Sequence, residues 1–186
     1  MKKTVQKTLA TLALIVAMMT AAAAGVQAQE VNMNRYITLT VWDDEHIALR
    51  LQAAADNTPV RIISGSNTDD ITVGTSWTTT RYYHSDGTTM TIYGDITGIN
   101  CSGNSNANSN RIVSIDVNNT ELKILSCYNN KLSSLDVSKS TALTELYCHL
   151  NKLTSLDVSN NTALKKLDCM DNQLTTLDVS SCPMLC

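Results

Sequence analysis

LKILSCYNNKL (122–132), LTELYCHLNKL (143–153) and LKKLDCMDNQL (164–174) are three copies of one stretch. Between the second and third copies Leu143 and Leu164, Leu146 and Leu167, Cys148 and Cys169, and Asn151 and Asn172 are each 21 residues apart. A fixed period of this size marks a repeat array, in which each unit is held chiefly by its neighbours rather than by one globular core.

Working outward, ITGINCSGN (96–104) is a degenerate earlier copy, with Ile96, Ile99, Cys101 and Asn104 at the Leu, Leu, Cys and Asn positions. The polar run SNANSN (105–110) reads as a lengthened loop. Each copy is followed by a second apolar motif: IVSIDV (112–117), LSSLDV (132–137), LTSLDV (153–158) and LTTLDV (174–179). The unit is therefore LxxLxCxxNxLxxLDVSxxTA. In LxxLxC the second Leu and the Cys are two apart, so they share one side of a strand, and that side must be the core. Asn130, Asn151 and Asn172 come where the chain leaves the strand. An amide has both donor and acceptor groups, so an inward asparagine stack is expected to satisfy backbone groups at the bend. In LDV, Leu and Val again share a side, which predicts a second, shorter strand on the opposite face and no helix.

This pattern resembles the leucine-rich repeat family, and within it the bacterial class of 21-residue repeats ending in LxxLDL or LxxLDV; the match covers residues 96–186. The resemblance implies a mainly β, curved, right-handed solenoid with a parallel sheet on its concave side and short strands on its convex side. It also implies a binding role, since members mostly bind other macromolecules. The β-rich segment before the repeats is similar to N-terminal regions beside such repeats in secreted proteins of Gram-negative anaerobes.

That segment alternates at period two. YITLTVW (36–42), IALRL (47–51), VRII (60–63), DDITV (69–73), TTTRYY (78–83) and TTMTIYG (88–94) read as strands, separated by turn-rich runs. The first two are expected to form a hairpin across Asp43-Asp44-Glu45, and the whole to be a small antiparallel cap packed on the first repeat. A cap covers the core slice and strand edges that a repeat stack exposes.

Residues 1–28 carry Lys2, Lys3 and Lys7, an apolar stretch from Leu9 to Met19 and the small-x-small signal Val26-Gln27-Ala28. This is the pattern of a secretory leader cleaved after Ala28. The expected organisation is a signal peptide (1–28), a β-rich cap region (29–94) and about four repeat turns (95–186), exported to the periplasm, cell surface or medium. No later segment reads as a membrane span. The residues after Ala28 hold 11 basic and 17 acidic side chains, a charge of −6 that disfavours a nucleic-acid partner.

Between the inward positions, three outward columns run across the concave strands: Gly98, Ile124, Glu145 and Lys166; Asn100, Ser126, Tyr147 and Asp168; Ser102, Tyr128, His149 and Met170. The candidate binding residues are Ile124, Ser126, Tyr128, Glu145, Tyr147, His149, Lys166, Asp168 and Met170. Aromatics on such a face are favoured interface anchors, and plain cross-strand packing is the competing account. The expected partner is another protein, or a cell-surface glycan stacking on Tyr128 and Tyr147; a purely structural or truncated repeat unit without a ligand is a further reading.

No catalytic residue, cofactor or metal site is expected. Cys148 faces the core while His149 faces solvent, so they form no nucleophile–base pair. The cysteine column is a line rather than a tetrahedron, and its thiols are expected to be free and buried. Cys182–Cys186 is the one disulfide the spacing favours. Asp116, Asp136, Asp157 and Asp178 stack like charges and need compensation, from Ser134, Ser155, Thr176 or turn N–H groups, with a bound cation as the alternative. Another strand would begin at Leu185, so self-association through an uncapped C-terminal end is also expected.

Overall fold

The computed structural model describes residues 29–42, 46–103 and 111–185. Residues 1–28, on which the expected signal peptide falls, the acidic run 43–45, the stretch 104–110, which contains the expected longer loop, and Cys186 lie outside the described residues. From Val31 onward the chain forms one compact unit, which is described below.

Among the described residues there are eleven strands and no helix. The cap contributes β1 (Tyr36–Thr40), β2 (His46–Ala53), β3 (Thr58–Ser64), β4 (Asn67–Val73), β5 (Arg81–His84) and β6 (Thr89–Gly94). The repeats contribute β7 (Ile96–Asn100), β8 (Ser114–Asn118), β9 (Ile124–Ser126), β10 (Glu145–Tyr147) and β11 (Lys166–Asp168). One sheet runs β4-β3-β6-β1-β8 and is antiparallel throughout. The other runs β11-β10-β9-β7-β2-β5; it is parallel from β7 to β11 and antiparallel across β7–β2 and β2–β5.

The hairpin expected between residues 36–42 and 47–51 is not formed, because β1 and β2 belong to different sheets. Each alternates with its apolar residues inward, and Ile37, Leu39, Val41, Ile47, Leu49 and Leu51 all enter one core that continues through the repeats. Alternation reports a buried face but is blind to the neighbouring strand. The cap is likewise more than a lid. Through β2 it extends the parallel ladder, and through β1 it pairs with β8, so both walls pass from cap to repeats without a break. The crossing from β6 to β7 falls at Gly94, whose φ of +137° suits glycine and where a Cβ would stand 2.8 Å from the Pro59 carbonyl oxygen.

In the repeats Leu122, Leu125, Cys127, Leu143, Leu146, Cys148 and Leu164 are fully buried, as the inward reading of LxxLxC requires. The asparagines act as expected. Asn151 Nδ2 donates to the carbonyls of Cys127 and Cys148 at 3.0 Å, while its Oδ1 accepts from Leu132 N at 3.0 Å. Asn130 and Asn172 repeat this arrangement one turn before and after.

A second buried polar column escaped the sequence pattern: Asn119, Ser140, Asn161 and Cys182, each at most 4% exposed. Each sends its donor to a carbonyl of the preceding turn, Asn119 to Ile96, Ser140 to Asn119, Asn161 to Val137 and Ser140, and Cys182 to Val158 and Asn161. Cys182 is a free, buried thiol, so the expected bridge to Cys186 is not formed. The cysteine column is also free, and burial pushes the Cys101 and Cys148 thiols up to about 12.

On the opposite wall only the first LDV motif forms a strand, β8; Asp136 joins it through a single parallel bridge to Asp116. In the later turns the Asp side chains close local turns instead. Ser138 N, Ser159 N and Ser180 N donate to Asp136, Asp157 and Asp178, each at 2.9 Å. Compensation therefore comes from the second of the two expected sources, turn N–H groups, here those of the serines two residues downstream, rather than from Ser134, Ser155 or Thr176. These bonds hold all three carboxyls below the ordinary value of 3.8, led by the Ser138 side-chain bond at Asp136 and the backbone bonds at Asp157 and Asp178.

Candidate functional site

The outward side of the ladder sheet is fixed by register. Gly98, Ile124, Glu145 and Lys166 are aligned across four parallel strands, as are Asn100, Ser126, Tyr147 and Asp168. Ser102, Tyr128, His149 and Met170 follow two positions on, giving the third column.

Two of these columns are bonded laterally. Tyr128 and His149, on neighbouring turns, stack with ring centroids 4.4 Å apart and planes 8° from parallel. That separation is close to the spacing of adjacent strands, about 4.7–4.9 Å. The ring normals therefore lie along the ladder, and both rings meet solvent edge-on. His149 Nδ1 is 3.1 Å from Asp168 Oδ2, near enough for an ion pair when the imidazole is protonated, although it is not aligned for a hydrogen bond.

Tyr147 Oη donates to Glu145 Oε2 at 2.8 Å, and Lys166 Nζ donates to Glu145 Oε1 at 3.1 Å. The Tyr147 bond, aided by Lys166, holds the Glu145 carboxyl below its usual range against the effect of burial. The same bond raises the Tyr147 phenol, and Glu145 raises the Lys166 ammonium. Met170 is 71% exposed at the end of its column.

Two expectations need correction. Ser126 points outward but is buried, with its hydroxyl 2.9 Å from that of Ser102, so it belongs to the floor of the face. The face is also not confined to the repeats. Arg50 lies opposite Asn100 and Gln52 opposite Gly98, so this side of β2 carries His46, Ala48, Arg50 and Gln52. Beyond it, Tyr82 and His84 of β5 lie opposite Ala48 and His46. Tyr82 is 61% exposed.

Trp77 reaches from the β4–β5 connection over the same side. A Cβ on Gly98 would lie 2.9 Å from Trp77 Cη2, so glycine heads that column because an indole crosses it. Arg50 Cζ sits 5.7 Å from the Trp77 ring centroid, and Arg50 Nε donates to the Thr78 carbonyl. None of these cap residues was identifiable from alternation alone, because the side each occupies depends on which strand it pairs with. The bare Gly98 among Ile124, Glu145 and Lys166 was the available signal.

Left-handed backbone occurs at the same repeat position in three turns: Asn129 (φ 54°), Leu150 (φ 56°) and Asp171 (φ 51°). Asn and Asp adopt it readily, whereas leucine does so at a cost of about 1–2 kcal/mol. Leu150 is also 47% exposed, beside His149 on the rim of the face. Among the described residues, no helix is long and apolar enough to cross a membrane.

No family model matches this chain, and no curated protein matches it. A solved structure described as "Functional domain of InlJ from Listeria monocytogenes includes a cysteine ladder" aligns with 35% sequence identity and a TM-score of 0.44. The alignment covers 54% of this chain and 22% of that one, so the present chain spans less than a quarter of its length.

Proposed function

We propose that this chain is an exported, non-enzymatic leucine-rich-repeat solenoid of the bacterial 21-residue class, which binds another protein through the outward face of its ladder sheet. In-register strands 21 residues apart and the repeated asparagine bonds support the repeat reading. Export rests on the leader-like residues 1–28. The observation that carries the binding role is the outward column of Tyr128 and His149, stacked edge-on and continued by Tyr147, Glu145, Asp168 and exposed Met170.

Edge-on rings offer a hydroxyl, an imidazole nitrogen and a rim of C–H groups, a surface matched to the mixed polar and apolar side chains of a protein. A glycan that stacks on an aromatic platform needs an open ring face, and at Tyr128 one face is already taken by His149. This geometry favours the protein partner over the sugar. The face extends over β2 and β5, which brings Tyr82 and Trp77 into it.

A pull-down from cells or matrix, using residues 29–186 and the variant with Tyr128, Tyr147 and His149 all changed to alanine, tests the reading. Loss of one or more partners in the variant is expected. Equal recovery of all partners by both proteins would sink it, and a glycan array bound by the wild type alone would transfer the site to the sugar reading.

A further inference from the structure

The chain has three histidines, and two of them, His46 and His84, lie directly opposite one another on β2 and β5. Their rings are 11° from parallel, with centroids 5.0 Å apart, and both are exposed. β5 is the edge strand of its sheet, so the space beyond the pair opens to solvent. The backbone on either side is held. Ser85 Oγ donates to the Trp42 carbonyl at 3.1 Å, Asp86 N donates to Ser64 Oγ at 3.0 Å, and Ser66 donates to Asp86 through both its N–H and its hydroxyl. The strand pairing and these anchors fix the separation of the two backbone positions that carry the imidazoles.

We propose that His46 and His84 form a two-imidazole chelate for a borderline divalent transition metal of the zinc, nickel and copper class. Neutral imidazole is a preferred ligand for these ions, at about 2.0–2.1 Å from nitrogen to zinc. From the stacked arrangement, opposed rotations of the two rings about χ2 bring one nitrogen of each onto a common ion. Among the described residues no group of three or more His, Cys, Asp or Glu is placed to hold a metal. The two imidazoles are the ligands proposed here, and the ion's other positions are open to water or to a donor from a bound partner. The pair sits on the outward side of β2, the side that carries Arg50 and continues into the ladder face, so those open positions look toward any molecule docked there. Copper binds more tightly than zinc or nickel at such a site.

The test uses tag-free protein comprising residues 29–186, titrated with nickel and zinc chloride by calorimetry and with Cu2+ by electron paramagnetic resonance. Wild type is expected to bind one equivalent, with two nitrogen couplings in the Cu2+ spectrum. His46→Ala and His84→Ala each reduce a chelate to a single ligand, weakening binding about a hundred-fold and leaving one nitrogen coupling. Both positions are exposed, so unchanged circular dichroism melting shows that each variant is folded. Binding that survives in the His46→Ala/His84→Ala double variant is held elsewhere, at thiols or at His149, and overturns the proposal; so does a wild type with a one-nitrogen spectrum.

Discussion

Two polar columns, buried except at half-buried Asn172, run through the stack in step, Asn130, Asn151 and Asn172 on one bend and Asn119, Ser140, Asn161 and Cys182 on the other. The first is asparagine at every turn because each side chain works in two directions. Its amide N–H groups hold two buried carbonyls, and its oxygen takes the N–H that opens the apolar motif of the preceding turn. No other side chain of that size has both groups so disposed. In the second column the common requirement is a donor aimed at the turn before, which an amide, a hydroxyl or a thiol can meet. Asn161 shows the contrast directly: its Nδ2 donates twice, and its buried Oδ1 has no hydrogen-bond partner. A strict column and a permissive one coexist because their bends demand different numbers of bonds.

This contrast can be broken by substitution. Asn151→Ala leaves two carbonyls and one N–H unsatisfied in the core, so it should destabilise the protein by about 3 kcal/mol and lower the melting temperature by about 10 °C. Thermal unfolding followed by circular dichroism checks this, and a loss no larger than that of Asn161→Ser would erase the distinction. Cys148→Ser, between the strict positions, puts a hydroxyl where a fully buried thiol packs, and about 2 kcal/mol should be lost. Chemical denaturation measures it, with Cys148→Ala expected to cost less.

Asn161→Ser should cost about 1 kcal/mol or less, since the previous turn already uses Ser140 there. Gly98→Ala moves the comparison to the outward face. The new Cβ must displace the Trp77 indole, at a cost of about 1 kcal/mol. In a Trp42→Phe background, where Trp77 is the sole indole, its fluorescence should shift to longer wavelength.

The smallest effect concerns the surface turns that carry Asp136, Asp157 and Asp178. Their folded values are depressed, so their stabilisation is present above the unfolded value near 3.8 and is lost as the pH falls through the lower folded values. Melting temperatures of wild type between pH 6 and pH 3 should fall slightly more steeply than those of Asp157→Asn.

The repeat ladder was legible because Leu, Cys and Asn recur at a fixed spacing and each has one physical reason to face inward. The permissive column was not legible for the same reason reversed: when Asn, Ser and Cys can each do the job, no letter repeats. Strand positions in the cap could be read from alternation, while their partners could not, so the assignment of β1 and β2 to opposite walls appeared only in the fold. The site shows the same division. Tyr128, Tyr147 and His149 lie on the outward side as their parity requires, whereas Ser126 proves to be floor, and Tyr82 and Trp77 enter the face through pairings that no spacing records.

The sharing of strands at the start of the stack bears on how such a chain can change length over evolutionary time. β7 is bound to β2 and β8 to β1, so the first turn is stitched to the cap on both walls and cannot be copied without tearing one of them. The later turns pair in series, β9 on β7, β10 on β9 and β11 on β10, each with the turn before it. A deletion of residues 143–163 joins Ala142 to Leu164, restores the TAL sequence found in both turns, and should leave a shorter protein that still folds. The seam is thus a fixed origin from which whole turns can be added or lost by unequal recombination.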